Sequence, residues 1–216
     1  MTIAENIAKI KAELAAINKQ TQLIAVSKMH SEASVREAIA AGQRIFGENR
    51  VQEAQEKFPS LQAEFADLQL HLIGPLQTNK VADALKLFDV IQTVDREKLA
   101  IKLAESCKQQ AVKCKEFYIQ VNTGEEPQKA GIGPQNAVEF VQFCRNDLQL
   151  NITGLMCIPP VDEPAFMHFG LLKNLSLRLS TYDLRLSMGM SSDYLEAAEM
   201  GADYVRIGSA IFGSRI

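Results

Sequence analysis

The stretch LRLSMGMSSDYLEAAEMGADYVRI (184–207) contains one complete unit of the predicted fold. Short apolar runs at 184–187 and 204–207 are typical of buried strands, and a segment of helical character lies between them. A polar loop of small residues, 189–193, joins the first strand to that helix. A strand–helix–strand unit of this length indicates two parallel strands.

The rest of the chain follows the same plan. Six further runs predict strands, separated by helical segments, at 23–27, 44–47, 70–73, 90–93, 116–121 and 152–156. Beyond the first ~22 residues, roughly 24 residues remain for each of eight units, about the length of a short strand, a helix and two loops. The sequence therefore predicts an α/β fold, a (β/α)8 TIM barrel with an extra N-terminal helix. An open doubly wound sheet is the alternative. All seven prolines are expected in loops or at helix starts.

The extra helix is predicted over residues 1–20. Ile3, Ile7 and Ile10 begin an apolar stripe with steps of three or four residues, which is typical of a helix packed on a domain. Thr2 and Glu5 fit a capping box at its start. Charged residues interrupt the apolar ones, so neither a signal peptide nor a membrane span is expected here.

Composition narrows the class of protein. The chain has 216 residues, 47% of them apolar, and a net charge of −3, which favours one globular domain over 1–216 and disfavours nucleic acid or a membrane as partner. Four cysteines show no Cys-x-x-Cys spacing and no histidine at ligand spacing, so we expect no metal site. Reduced thiols and the missing signal peptide predict a cytoplasmic protein.

Lys28 is the first candidate functional residue, because it directly follows the strand LIAVS. In parallel α/β folds the active site forms at the C-terminal ends of the strands. An amine held there and partly desolvated has a lowered pKa and reacts with carbonyl groups to form a Schiff base. A solvated lysine that merely ends the strand is the alternative.

Arg206 is the second candidate. Strand alternation places Val205 and Ile207 on one face and Tyr204 and Arg206 on the other. If the β-branched pair packs under the helices, Arg206 projects into the barrel, where its permanent charge requires an anion or an acceptor. A structural salt bridge inside the barrel is the alternative.

Two short segments predict a phosphate site. The loop 189–193 follows the seventh strand, and Gly208 with Ser209 follows the eighth. Backbone amides and hydroxyls in these two loops are the usual phosphate ligands of TIM barrels, although Ser-Ser-Asp is also an ordinary helix cap. An amine, an arginine and a phosphate site at one barrel mouth suggest pyridoxal 5′-phosphate (PLP) or a sugar phosphate as ligand.

Several longer strings carry a family resemblance, distributed in order from residue 25 to residue 213. They are AVSK (25–28), FGENRVQE (46–53), HLIGPLQTNK (71–80), GLMCIP (154–159), LSMGMSSD (186–193) and VRIGSAIFG (205–213). With these strings the chain resembles the pyridoxal phosphate homeostasis protein family. The segment between GLMCIPP and LSMGMS is shorter than is usual in that family.

The resemblance implies a fold and a set of cofactor contacts. It implies a fold type III barrel like the N-terminal domain of alanine racemase, with PLP held as an internal aldimine on Lys28 and with Arg206 facing the pyridine nitrogen. An arginine there leaves this nitrogen unprotonated and the ring a poorer electron sink. Four residues match family positions near the cofactor or its entrance, with less defined roles: Asn49, His71, Met156 and Lys129. The complete set of expected cofactor-binding residues is Lys28, Asn49, His71, Met156, Met190, Ser191, Ser192, Arg206, Gly208 and Ser209.

The resemblance also implies a function. Members of this family bind, buffer and deliver PLP without an established turnover, so we expect a monomeric carrier whose transient partners are PLP-dependent apo-enzymes. A racemase on this barrel needs a second acid/base, which in alanine racemases comes from an added C-terminal domain, and none is expected after Ile216. The alternatives are an amino-acid racemase with an unrecognised second base, for which the four tyrosines are candidates, or a sugar-phosphate enzyme that uses Lys28 without PLP.

Overall fold

A computed structural model describes residues 1–109 and 112–213. The end of the predicted domain, residues 214–216, lies outside this part. Eight parallel strands form the centre of the fold: β1 Gln22–Val26, β2 Ile45–Glu48, β3 Gln69–Leu72, β4 Val90–Val94, β5 Glu116–Val121, β6 Ile152–Cys157, β7 Arg185–Ser187 and β8 Tyr204–Ile207. Their bounds agree with the predicted strands to within one residue at every end.

The sheet closes on itself in the order β1 to β8. The closing pair joins β1 to β8 in parallel, with Leu23 opposite Val205 and Ala25 opposite Ile207. This pairing confirms the predicted barrel and makes the open doubly wound alternative wrong. It also places the residues that follow Ala25 and Ile207 side by side at the same end of the barrel.

Helices surround the strands. They are α1 Ile3–Ile17, α2 Glu32–Ala40, α3 Val51–Glu64, α4 Val81–Leu87, α5 Glu97–Gln109, α6 Pro134–Gln142, α7 Ala165–Arg178, α8 Tyr194–Glu199 and α9 Ser209–Phe212. Each strand is followed by one of α2 to α9, as a (β/α)8 barrel requires. The segment that is short for the family still forms the 14-residue helix α7.

The N-terminal helix α1 has the predicted capping box, since the Glu5 N–H donates to the Thr2 hydroxyl and the Thr2 N–H donates to the Glu5 carboxylate. Its buried residues Ile7, Ile10 and Leu14 pack against α2, α8 and α9. Within the described residues, no helix combines the length and the hydropathy that a membrane crossing needs.

Two layers of side chains form the core. Residues that point outward from the strands, such as Val205 and Ile207, join the apolar residues of the helices. Inside the barrel a smaller cluster contains Ile24, Met156 and Tyr204. The alternation in β8 therefore has the predicted sense, with Val205 under the helices and Tyr204 inside.

Pro59 contradicts the expectation that every proline lies in a loop or at a helix start, because it is inside α3. Proline removes one hydrogen bond and strains the preceding turn. Phe58 and Leu61 are fully buried on the core face of α3 while Pro59 is exposed. Burial of that face outweighs the local cost, so the helix continues through the proline.

Candidate functional site

A cavity of about 410 Å³ opens at the C-terminal ends of the strands. Three apolar side chains, Val26, Ile73 and Ile158, line it together with eight of the ten predicted site residues. The eight are Lys28, Asn49, Met190, Ser191, Ser192, Arg206, Gly208 and Ser209. His71 and Met156 do not line the cavity, and both are fully buried deeper in the barrel.

Arg206 forms part of the cavity wall from β8, and only 5% of the residue is exposed. Its guanidinium donates to the Ser187 hydroxyl (2.8 Å) and to the Cys157 carbonyl (2.7 Å). It has no ion pair with a carboxylate of the described residues, so the salt-bridge alternative is not supported. Burial lowers the pKa of Arg206, but a guanidinium stays charged at neutral pH. A buried cation at the cavity wall favours an anionic or acceptor-bearing ligand.

A chain of hydrogen bonds continues below Arg206. The Ser187 hydroxyl donates to Gln92 Oε1 (2.7 Å), and Gln92 Nε2 donates to His71 Nδ1 (2.9 Å). Burial lowers the pKa of His71 to about 3, so the ring is neutral. Because Nδ1 accepts from the Gln92 amide, the ring proton is assigned to Nε2. His71 therefore supports Arg206 from below through two intermediate side chains.

The loops after β7 and β8 meet at one edge of the cavity. The Ser191 and Ser209 hydroxyls lie 3.2 Å apart. Gly189 has a φ of +94°, and a Cβ there would lie 2.5 Å from Ala197 Cβ, so the turn requires glycine. The Met190 N–H already donates to Asp193 Oδ1 (2.6 Å). The Ser209 hydroxyl donates to Ser191 Oγ, so the two hydroxyls form a linked pair at the cavity edge that a phosphate could engage, whereas the Met190 amide is already held by Asp193.

Lys28 lies in a turn that is held from below by α3. The Lys57 ammonium donates to the carbonyls of Ser27 (2.9 Å) and His30 (3.2 Å), on either side of Lys28. Met29, next in the chain, has a φ of +62°, which is unusual for a non-glycine residue. Its N–H donates to the Glu53 carboxylate, which holds the strained turn in place.

Glu48 completes this support. Its Oε1 lies 2.7 Å from Lys57 Nζ and accepts from the Ser27 hydroxyl at 2.7 Å, and the residue is fully buried. Burial raises the pKa of Glu48, while Lys57 and then Ser27 oppose this shift. The ion pair and the Ser27 hydrogen bond offset only part of the desolvation of the Glu48 carboxylate, because its pKa stays raised and its Oε2 accepts no hydrogen bond from the described residues.

The chain is similar to known proteins over nearly its whole length. The model of the family described as "Alanine racemase, N-terminal domain" matches residues 1–216. A Pseudomonas aeruginosa relative named pyridoxal phosphate homeostasis protein is 41% identical, and the alignment covers 99% of this chain and 96% of the relative. This chain belongs to the pyridoxal phosphate homeostasis protein family.

Solved structures agree with membership in the pyridoxal phosphate homeostasis protein family. The structure of PipY from Synechococcus elongatus with PLP bound is 36% identical, has a TM-score of 0.84, and is matched over 98% of this chain and 100% of that chain. An alanine racemase from Clostridium difficile has a TM-score of 0.78 at 16% identity, which shows a common fold alone. The match spans 99% of this chain and 56% of that racemase.

The side chains that support the site from behind in this family member were not among the residues predicted from the sequence. Glu48, Glu53 and Lys57 hold the Lys28 turn, while Gln92 and Ser187 hold Arg206. The four-residue spacing of Glu53 and Lys57 is a signal of a helical ion pair. Gln92 and Ser187 are polar residues within predicted strands, which also marks them for an interior role.

Lys129 is separate from the cavity. It lies in the loop between β5 and α6, and its ammonium lies 2.5 Å from Glu126 Oε2. The same loop is tied back by the Asn122 side-chain amide, which donates to the Glu126 carbonyl (2.9 Å). The structure gives Lys129 a partner within its loop and no place in the cavity wall.

Proposed function

We propose that this chain binds PLP and acts in its homeostasis inside the cell, where it buffers or delivers the cofactor. One observation carries the proposal: the cavity brings together the Lys28 side chain, the buried Arg206 guanidinium and the Ser191 and Ser209 hydroxyls. Family membership and the PLP-bound PipY structure support the same function.

The residues of the cavity fit the three polar groups of PLP. The Ser191 and Ser209 hydroxyls would bind the phosphate, Lys28 would bind at the aldehyde, and Arg206 would face the ring nitrogen. Val26, Ile73 and Ile158 supply apolar walls for the ring. When bound, PLP supplies an aldehyde that reacts with amines and a conjugated ring that delocalises electrons. Arg206 cannot hand a proton to the ring nitrogen, so this pocket limits the electron-withdrawing power of the ring.

The positions of the tyrosines favour a carrier over a racemase. Tyr118 and Tyr204 lie in the barrel interior, and burial raises the pKa of both phenols. The Tyr194 hydroxyl donates to Glu13 on α1, and the Tyr182 ring contacts Arg145. None of the four lines the cavity, so among the described residues no phenol is placed to move a proton on the side opposite Lys28.

Three further expectations accompany this proposal. Delivery of PLP to apo-enzymes would make those enzymes transient partners of the chain. The cytoplasmic location and the monomeric state stay predictions from the sequence, as does the single domain over 1–216.

The attachment of PLP is tested by reduction and mass mapping. Purified protein is incubated with PLP, reduced with borohydride and digested, and the modified peptide is identified by mass spectrometry. We expect modification at Lys28 and its loss in Lys28→Ala, with Lys19→Ala, near the opposite end of the barrel, as matched control. Equal modification of Lys28→Ala and wild type would contradict the assignment.

The carrier function needs a separate measurement. The PLP-loaded protein is incubated with L-alanine in D2O, and deuterium at Cα is followed by NMR. We expect no exchange beyond the background of free PLP. Sustained exchange over many turnovers would show a racemase-like enzyme instead.

A further inference from the structure

A second groove lies beside the cofactor cavity, at the C-terminal ends of β2, β3 and β4. It has a volume of about 770 Å³, and Asn49 lines both spaces. Its walls come from the start of α3, from the loop between β3 and α4, and from Arg96 after β4. Apart from Asn49, the residues that line this groove have no role in the cofactor site.

The groove is strongly basic. Arg50, Lys80 and Arg96 line it, and no carboxylate of the described residues does so. Arg96 pairs with Asp95, and Arg50 is close enough to the Glu53 carboxylate to interact with it electrostatically, whereas Lys80 forms no ion pair with a described carboxylate. Three amide side chains, from Asn49, Gln52 and Gln77, add hydrogen-bond donors. On a chain with a net charge of −3, this is a local concentration of positive charge.

The walls of the groove are held firmly. Arg96 donates to the Leu76 carbonyl (2.9 Å), and the Thr93 hydroxyl donates to the Gly74 carbonyl (2.8 Å). Gly74 is packed so closely on the preceding loop that a Cβ would lie 2.6 Å from Asn49 Cα. Because the walls of this basic groove are already fixed, ligand binding does not carry the entropic cost of ordering its loops.

We propose that this groove binds a phosphate monoester with a small organic body, at the same time as the cofactor cavity is occupied. A phosphate monoester carries a charge of about −1.5 to −2 at neutral pH and offers three acceptor oxygens, which suits lysine and arginine donors. Val51, Pro75 and Leu76 provide an apolar surface for the organic part. Pockets of about 300–1,000 Å³ hold small organic ligands, so the space exceeds what an inorganic ion needs. The occupancy of the neighbouring cavity rests on the function proposed above.

The test first closes the cofactor cavity. PLP is fixed at Lys28 with borohydride, and the reduced protein is titrated with pyridoxamine 5′-phosphate or with glycerol 3-phosphate by isothermal calorimetry. We expect saturable binding of one equivalent. Similar affinity for the two ligands would show that the phosphate is recognised, and tighter binding of the first would show that the ring is recognised as well.

Paired variants decide where the ligand binds. Arg50→Gln/Lys80→Gln removes two charged donors of the groove, and we expect affinity to fall by about tenfold or more. Lys11→Gln/Lys19→Gln, which removes two cations from the opposite end of the barrel, leaves affinity unchanged. Lys80→Glu alone reverses one charge and should weaken binding as well.

The outcomes separate this proposal from the proposed function. Absence of saturable binding to the reduced protein, or equal binding to the Arg50→Gln/Lys80→Gln variant, would overturn the groove assignment. Failure of borohydride to fix PLP at Lys28 would instead overturn the cofactor assignment. In that case the same titrations, repeated with Lys28→Ala protein, still test the groove through the two pairs of variants.

Discussion

Lys57 Nζ lies 2.7 Å from Glu48 Oε1, and this ion pair is buried under the turn that carries Lys28. Only 10% of the Lys57 side chain and none of the Glu48 side chain is exposed. The same ammonium donates hydrogen bonds to the Ser27 and His30 carbonyls. The position of Lys28 at the cavity therefore depends on two charged residues that do not themselves line it.

We expect Lys57→Met to lower the free energy of unfolding by about 3–5 kcal/mol, because it leaves the Glu48 carboxyl buried without its partner. The double variant Glu48→Gln/Lys57→Met removes both charges and should recover most of the loss. Urea unfolding followed by circular dichroism measures both. Lys9→Met, which breaks the exposed pair with Glu13, is the control and should leave the midpoint nearly unchanged. A Lys57→Met protein as stable as wild type would show that the buried pair is not needed.

Arg206 should limit side reactions of bound PLP. In Arg206→Glu the carboxyl group can share a proton with the ring nitrogen, which makes the ring a better electron sink. We expect this variant to transfer the amino group of L-alanine to PLP faster than wild type, giving pyridoxamine 5′-phosphate and pyruvate. Chromatography of the released cofactor measures the product. Arg206→Gln, which lacks the acid, is the control, and equal rates in the two variants would refute the proposed contact.

His71 should make the fold sensitive to acid. Its pKa is lowered from 6.5 to about 3 by burial, so below pH 6.5 the unfolded chain binds a proton that the folded protein does not. The stabilising contribution is complete above pH 6.5 and is lost as the pH falls toward 3, by up to about 1.4 kcal/mol for each pH unit. We expect His71→Gln to lose less stability than wild type between pH 6.5 and pH 4.5, as measured by urea unfolding. The partly exposed His30, changed to Gln, provides the control, and parallel curves for His71→Gln and wild type would contradict the prediction.

Two glycines should respond to alanine in opposite directions. Gly74→Ala forces a Cβ against the Asn49 backbone, so we expect a loss of about 1–3 kcal/mol and weaker PLP binding, because Asn49 lines the cavity. Gly170 lies within α7, where a Cβ would meet only Met200 Cε at 3.5 Å. Gly170→Ala should therefore stabilise the protein by about 0.5–1 kcal/mol. Thermal melts measure the stability of the two variants, and PLP titrations measure their affinity for the cofactor. Normal PLP affinity in Gly74→Ala would contradict the expected effect of the Asn49 contact on the cavity.

The strand pattern was predictable because it is local. Apolar runs of four to six residues and the helical segments between them identify the eight strands, and alternation within β8 places Arg206 inside the barrel. The strings that carry the resemblance also lie at strand ends, which is where a parallel barrel collects its functional side chains. Hence eight of the ten predicted site residues line one cavity.

Other features depend on contacts between distant parts of the chain. Pairing of β8 with β1 brings Lys28 beside Gly208 and Ser209, and only barrel closure produces that neighbourhood. His71 is a predicted ligand by resemblance, yet in the barrel it lies below Arg206 and reaches it through Gln92 and Ser187. Local patterns show which face of a strand a side chain occupies, but not its depth.

The sequence by itself therefore determined the eight βα units, the inward direction of Arg206 and the family. Tertiary structure alone decided that Glu48 pairs with Lys57, that Pro59 is accepted within α3, and that a basic groove forms next to the cavity. The physical reason is that hydrophobic periodicity is encoded by near neighbours. Desolvation, ion pairing and cavity shape instead depend on which distant residues the closed barrel brings together.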